Sequence, residues 1–175
     1  LARFGDFRPK DERYERAAEF LQILYGAWSP EPFDFTGDHY RVEQATTRAQ
    51  PLVRPRIYFG GASPAAEKVA ARHVDVYLAW CETPDMVGTR LDRMRELAAG
   101  VGRPDGRPLS FGIRFHVISR DTSEAAWAEA GRLMSGIDPA AVEAARADFA
   151  ATKSEGQRRM AEMTAGAGNG SVPVD

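Results

Sequence analysis

Apolar and polar residues follow two different periods along this chain. From Asp11, the positions Tyr14, Ala17, Ala18, Leu21, Leu24, Tyr25 and Trp28 recur every three or four residues. That spacing predicts one buried face of a helix of about five turns. Ser29, Pro30, Glu31 and Pro32 end it, because proline brings no N–H to the helical ladder. Residues 33–42 then alternate large and polar side chains around Gly37 and Asp38, the pattern of a β-hairpin, read here as a surface insertion. Residues 43–55, with Pro51 and Pro55, read as a connecting loop.

Three apolar runs follow: Ile57 to Gly60, Val74 to Trp80 and Leu109 to Ser119. Each precedes a helix pattern. Ser63 and Pro64 form a cap-then-proline start for a helix reaching about Arg72. Thr83, Pro84 and Asp85 repeat that start, and Val87, Leu91, Met94 and Ala98 supply a stripe that Gly100 stops. Asp121, with Glu124 three residues on, predicts a third start, for a helix to about Met134. Pro139 to Ala151 and Ser154 to Thr164 read as further Ala-rich helices, and Gly166 to Asp175 as a loose Gly-rich tail. Alternating strand and helix is the rhythm of an α/β fold with parallel strands. The third run is the longest predicted strand. It places Phe111, Ile113, Phe115 and Val117 on one face, and Gly112, Arg114, His116 and Ile118 on the other. Three strands are too few to close an eight-stranded barrel, which takes roughly 250 residues. They would leave two open edges, so the pattern fits a small open sheet or part of a larger one.

Composition narrows the function classes. The chain has 175 residues, ordinary apolar and charged fractions, and a formal net charge of −2, which gives no electrostatic case for nucleic acid or an anionic membrane. No apolar run reaches the ~20 residues of a membrane span. A single cysteine excludes an internal disulfide and points to a reducing, cytoplasmic setting. His39 and His73 have no partners at metal-ligand spacing, so no metal site is expected.

Chemistry in parallel α/β folds gathers where strands end. Those ends carry Gly60, Gly61 and Ser63, then Trp80 and Glu82, then Arg114 and His116. Small residues and a hydroxyl at a helix N-terminus suit a phosphate, and they equally suit a plain Ser-capped turn. Arg114 and His116 share a predicted strand face, where they could bind an anion and carry a proton, or simply line the wet side of an edge strand. Arg13 near a helix start opposes the dipole unless it meets an anion, although solvated charge is the commoner explanation. Nothing near Cys81 is arranged to lower its pKa, and a spare thiol is the simpler reading.

The segments 11–15 (DERYE), 28–40 (WSPEPFDFTGDHY), 58–63 (YFGGAS), 75–80 (DVYLAW), 111–118 (FGIRFHVI) and 154–161 (SEGQRRMA) together resemble the bacterial luciferase-like, flavin-dependent monooxygenases. Within them the chain is most similar to the two-component alkanesulfonate monooxygenases, from about Arg8 to Ala165. The resemblance implies a partial TIM-type (β/α)8 barrel, roughly strands five to seven, with an inserted hairpin and extra helices. Residues 1–165 would be its central part and 166–175 the tail. It implies reduced FMN (FMNH2) delivered by an NAD(P)H-dependent FMN reductase, O2 as co-substrate, and cleavage of an alkanesulfonate to aldehyde and sulfite. It assigns flavin contacts to Arg13 and Tyr14, phosphate binding to Gly60, Gly61 and Ser63, and catalysis to Arg114 and His116. Trp80 and Arg114 would meet the substrate, and the full-length protein would be a homo-oligomer. The family's early active-site Cys lies on a segment not present here. Cys81 stands where relatives carry Gly, so it does not inherit that role. The family's mobile-loop Arg and strand-eight Tyr are also missing, which implies a chain inactive alone. Two other readings stand beside this one: a luciferase-like enzyme acting on a sulfone or using a deazaflavin, and a non-catalytic α/β phosphate-binding module.

Overall fold

The structure, a computed structural model, describes residues 4–104, 106–151 and 154–166. It divides into two compact units, residues 1–79 with 85–112, and residues 80–84 with 113–175.

The first unit begins with helix α1 (Lys10–Ala27), followed by hairpin strands β1 (Phe33–Thr36) and β2 (Arg41–Ala45). The predicted stripe of α1 is real: Leu21 is buried, and Tyr14, Ala18 and Leu24 pack against the core. The hairpin is tied to α1 through Glu19, whose carboxylate accepts the N–H groups of Asp38, His39 and Tyr40 at 2.8, 3.0 and 3.0 Å. Its second strand runs to Ala45, beyond the expected loop boundary. A register irregularity between Phe33 and Phe35 allows the extension. Gln44, at φ 50°, is held there by its N–H to Asp34 Oδ1 bond of 2.7 Å.

Strand β3 (Tyr58–Gly60), helix α2 (Pro64–His73), strand β4 (Val76–Ala79), helix α3 (Pro84–Gly100) and strand β5 (Ser110–Ile113) supply the predicted α/β rhythm. Strand order is β3-β4-β5. β3 and β4 are parallel, with Tyr58 opposite Val76 and Gly60 opposite Leu78. Ser110 donates to the Asp75 carbonyl at 2.9 Å, and Gly112 lies against Leu78 and Val76, so β5 rises beside β4 in the same direction. Ala66, Ala70 and Ala71 of α2 are wholly buried. Such small side chains let helix and sheet approach closely around Val74, Tyr77 and Met94.

Two strand expectations need correction. β4 starts at Val76, because Val74 caps α2 by donating its N–H to the Ala70 carbonyl. β5 ends at Ile113 instead of reaching Ser119. A strand persists only while a neighbour offers ladder partners, and β4 ends at Ala79. Phe115 and Val117, expected on one face of that strand, lie beyond its end and are exposed at 58% and 82%.

Below the sheet, Asp75 joins β3 to β4. Its carboxylate accepts the Ile57 N–H at 2.7 Å and pairs with Arg54. Arg103 closes the end of α2 by donating to the carbonyls of Ala71 and Val74, both at 2.7 Å. Between them lies His73, buried, with no hydrogen-bond partner for Nδ1 among the described residues. Burial first, and then the charges of Arg72 and Arg103, lower its pKa from 6.5 to about 4. The folded state thus prefers neutral His73, while the unfolded chain takes a proton near 6.5. This contribution to stability is complete above pH 6.5 and is lost as pH falls toward 4. We expect the urea midpoint to drop across that window, and His73→Gln to flatten the drop. Asp75, whose pKa is lowered, weighs only at more acid pH: burial alone would raise it, but the Ile57 N–H and Arg54 prevail. An equally steep fall in the His73→Gln variant would exclude this origin.

The second unit contains α4 (Ser123–Ser135), α5 (Pro139–Ala151) and α6 (Glu155–Gly166). Thr122, not Asp121, caps α4: its hydroxyl accepts the Ala125 N–H at 3.2 Å, so the start lies one residue later than predicted. α5 has the predicted limits, and α6 runs two residues past its expected end. The tail expected from Gly166 lies, beyond that residue, outside the described residues. Among the described residues no helix is long and apolar enough to cross a membrane, and no cluster of three His, Cys, Asp or Glu could hold a metal ion.

Candidate functional site

In the first unit the site is the turn from β3 into α2. β3 ends at Gly60, and the chain turns through Gly61 and Ala62 to Ser63. Ser63 is the N-cap, as its sequence position predicts: its hydroxyl accepts the Ala66 N–H at 3.3 Å and its carbonyl accepts the Glu67 N–H at 2.9 Å. Pro64 brings no donor. The N–H groups of Ala62 and Ala65 meet no acceptor among the described residues. Unpaired donors at the positive end of a helix dipole are the chemistry that holds an oxyanion.

The two glycines differ in what imposes them. A Cβ on Gly61 would stand 2.6 Å from Ala66 Cβ, so the fold itself requires glycine there. A Cβ on Gly60 would meet only Leu78, at an ordinary 3.6 Å. Nothing in the packing forbids a side chain at 60, so the bare backbone there leaves room for something outside the chain.

Tyr14 reaches this turn. Its ring meets Phe59 edge-on at 6.3 Å, and its hydroxyl lies 3.6 Å from the Cβ position of Gly61. Arg13, its neighbour on α1, instead donates from Nη1 to the Arg8 carbonyl at 3.1 Å. A cavity of about 380 Å³ opens between the two helices, with Tyr14, Pro64, Ala65 and Lys68 on its wall.

Sequence reading missed what lies under the turn. The Tyr77 hydroxyl donates to the Gly61 carbonyl at 2.9 Å, and Arg90 Nη1 donates to the Tyr77 oxygen at 3.3 Å. Arg90 also meets Glu67 at 3.4 Å, and Arg93 Nε donates to the other Glu67 oxygen at 2.8 Å. Glu67 and Arg90 are only 4% and 5% exposed. A lone buried carboxylate in the first turn of α2 would repel an anion at the cap. Two guanidiniums on that carboxylate offset its charge. The available signal was Glu67 itself, a charge set among Ala66, Val69 and Ala70 on the buried stripe.

In the second unit, Trp80 is half exposed, and Gly156 of α6 lies against its indole, with a Cβ position 3.5 Å away. Glu82, predicted only as a strand-end candidate, has a side chain just 4% exposed and pairs with Arg159. Arg159 Nη2 donates to it at 2.8 Å, while Nε stands 2.8 Å from the second oxygen, off the line of a hydrogen bond. The Cys81 thiol is exposed. Arg114 and His116 do not lie on a strand face. They follow the end of β5, exposed, and neither makes a hydrogen bond or ion pair with any described residue.

Solved structures share this fold. A riboflavin lyase, crystallised with modified FMN and riboflavin, matches at a TM-score of 0.76 and 17% identity, over 95% of this chain and 46% of its own. EDTA monooxygenase from Chelativorans sp. BNC1 matches at 0.66 and 24%, over 85% and 39%. DmoA from Hyphomicrobium sulfonivorans matches at 0.63 and 22%, over 77% and 34%. The chain therefore spans between about a third and a half of the length of these structures. With its sequence matching the family's pattern over residues 1–170, the chain belongs to the luciferase-like monooxygenase family.

Proposed function

We propose that this chain is the central part of a reduced-flavin monooxygenase that cleaves alkanesulfonates to aldehyde and sulfite. In this reading β3, β4 and β5 are strands five to seven of a (β/α)8 barrel, and the working protein is a cytoplasmic homo-oligomer supplied by an NAD(P)H-dependent FMN reductase. The observation that carries it is the β3–α2 turn, with open backbone at Gly60, free N–H groups at Ala62 and Ala65, and the compensated Glu67 beneath. This donor set fits the phosphate of FMN. Ser63 would hold the turn open by capping α2, and Tyr14 would flank the cofactor beside Gly61. Arg13 would join it only by giving up its bond to the Arg8 carbonyl. Bound reduced flavin supplies the electrons that activate O2.

Arg114 supports the sulfonate part of the reading, being a cation that no described residue neutralises. It would pair with the sulfonate, with Trp80 packing on the carbon chain. His116 would hold or pass a proton as the carbon–sulfur bond breaks.

A chimera tests this: residues 8–165 replace the matching segment of an active alkanesulfonate monooxygenase, assayed with reductase, NADH and O2. We expect sulfite release that Arg114→Ala lowers by about 10²-fold, whereas the 175-residue chain alone gives none. A folded chimera that oxidises a sulfone or an alkane and leaves sulfonates untouched would refute the substrate. One that binds no reduced flavin would refute the chemistry.

A further inference from the structure

We propose that Tyr77, held by Arg90, is a positioning residue for anion binding at the β3–α2 turn. The inference rests on the reading of that turn as a phosphate site. A peptide plane has one carbonyl and one N–H on opposite sides, so fixing the Gly61 oxygen fixes where the Ala62 N–H points. The Tyr77 hydroxyl makes that bond at 2.9 Å from a side chain only 1% exposed, whose ring has no room to turn. Its own oxygen accepts from Arg90 Nη1 at 3.3 Å, so the hydroxyl is held from both sides. Arg90 is in turn braced by Glu67, in the first turn of the helix that Ser63 caps. The chain of contacts thus starts and ends on the same turn. It joins α3, β4 and α2, and sets both the direction of a free donor and the charge under it. Preorganised donors bind an anion better than donors that must first turn toward it. Tyr77 touches no ligand in this scheme and acts wholly through Gly61.

Backbone amide shifts of Ala62, Ser63 and Ala65 read the site directly. The intact chain is titrated with FMN, with inorganic phosphate, and with riboflavin as the phosphate-free control. In the wild type, FMN and phosphate should move these amides and riboflavin should not. Tyr77→Phe should weaken the FMN-induced shift by about tenfold in Kd, the effect of losing one oriented hydrogen bond. Arg90→Lys, which keeps a cationic donor, should stay near wild type. Met94→Ala serves as the stability control, because it opens the core that Tyr77 belongs to without touching the turn's hydrogen bonds. It should lower the melting temperature and leave the FMN Kd unchanged. Wild-type amides that ignore FMN would overturn the phosphate reading and this inference with it. Wild-type binding left intact by Tyr77→Phe would overturn the inference alone. An equal loss in Met94→Ala would also overturn it, since simple loosening would then explain both.

Discussion

Glu67→Ala is expected to destabilise the first unit by about 3–5 kcal/mol, the cost of breaking a buried ion pair from one side. Arg90 is 5% exposed and would lose the Glu67 carboxylate from its buried surroundings. Arg93 also loses its partner, but its side chain is 56% exposed and water can take over. The damage therefore falls on one guanidinium. Glu67→Gln should cost less, because an amide oxygen can still accept from Arg90 while the ion pair is gone. Guanidinium-chloride midpoints of the three proteins give the order directly. The exposed Glu143–Arg146 pair, one helical turn apart on α5, offers a contrast in the same chain. Breaking it should barely move the midpoint, because solvent screens both charges. If Glu67→Ala shifted the midpoint no more than that pair does, the buried cluster would not be holding α2 to α3.

Which parts of this were readable in the sequence follows from the range of the forces involved. Helix starts are local. Ser63 with Pro64 fixes a cap within three residues, and α2 begins where the pair predicts. At α4 two candidate caps stand side by side, and Thr122 took the place assigned to Asp121. Strand limits depend on a neighbour. Alternation from Phe111 to Val117 reads as one long strand, yet β5 stops at Ile113 beside a four-residue partner. The polar pair Arg114 and His116 was thus found as a candidate and misplaced as a strand face. The supporting network was not legible at all. Tyr77 lies 16 residues from Gly61 and Arg90 lies 23 from Glu67, separations at which no periodicity links two side chains. Glu82 shows the same range from the other side: a strand-end carboxylate reads as a candidate, and its partner Arg159 lies 77 residues on.

Gly61→Ala and Gly60→Ala should separate what the fold needs from what a ligand needs. At Gly61 the added methyl would lie 2.6 Å from Ala66 Cβ, with Phe59 at 3.5 Å on another side. Neither close atom can swing away, because one is fixed to the α2 backbone and the other belongs to a packed ring. The start of α2 must shift, at about 1–3 kcal/mol for an overpacked site. That shift also moves Ser63 and the free N–H of Ala65, so FMN binding at the turn should fall together with stability. At Gly60 the methyl would find ordinary contacts at 3.6 and 3.7 Å, both from Leu78, and the melting temperature should hardly change. If a phosphate does approach the Gly60 backbone, that same methyl stands in its way, and FMN binding should fall with no loss of stability. Thermal melts and FMN titrations of both variants test the pair. Gly60→Ala retaining full FMN affinity would move the phosphate away from Gly60, toward the Ala62 and Ala65 side of the turn. Gly61→Ala melting like the wild type would mean that α2 can yield at its first turn, and that Ala66 does not fix the glycine.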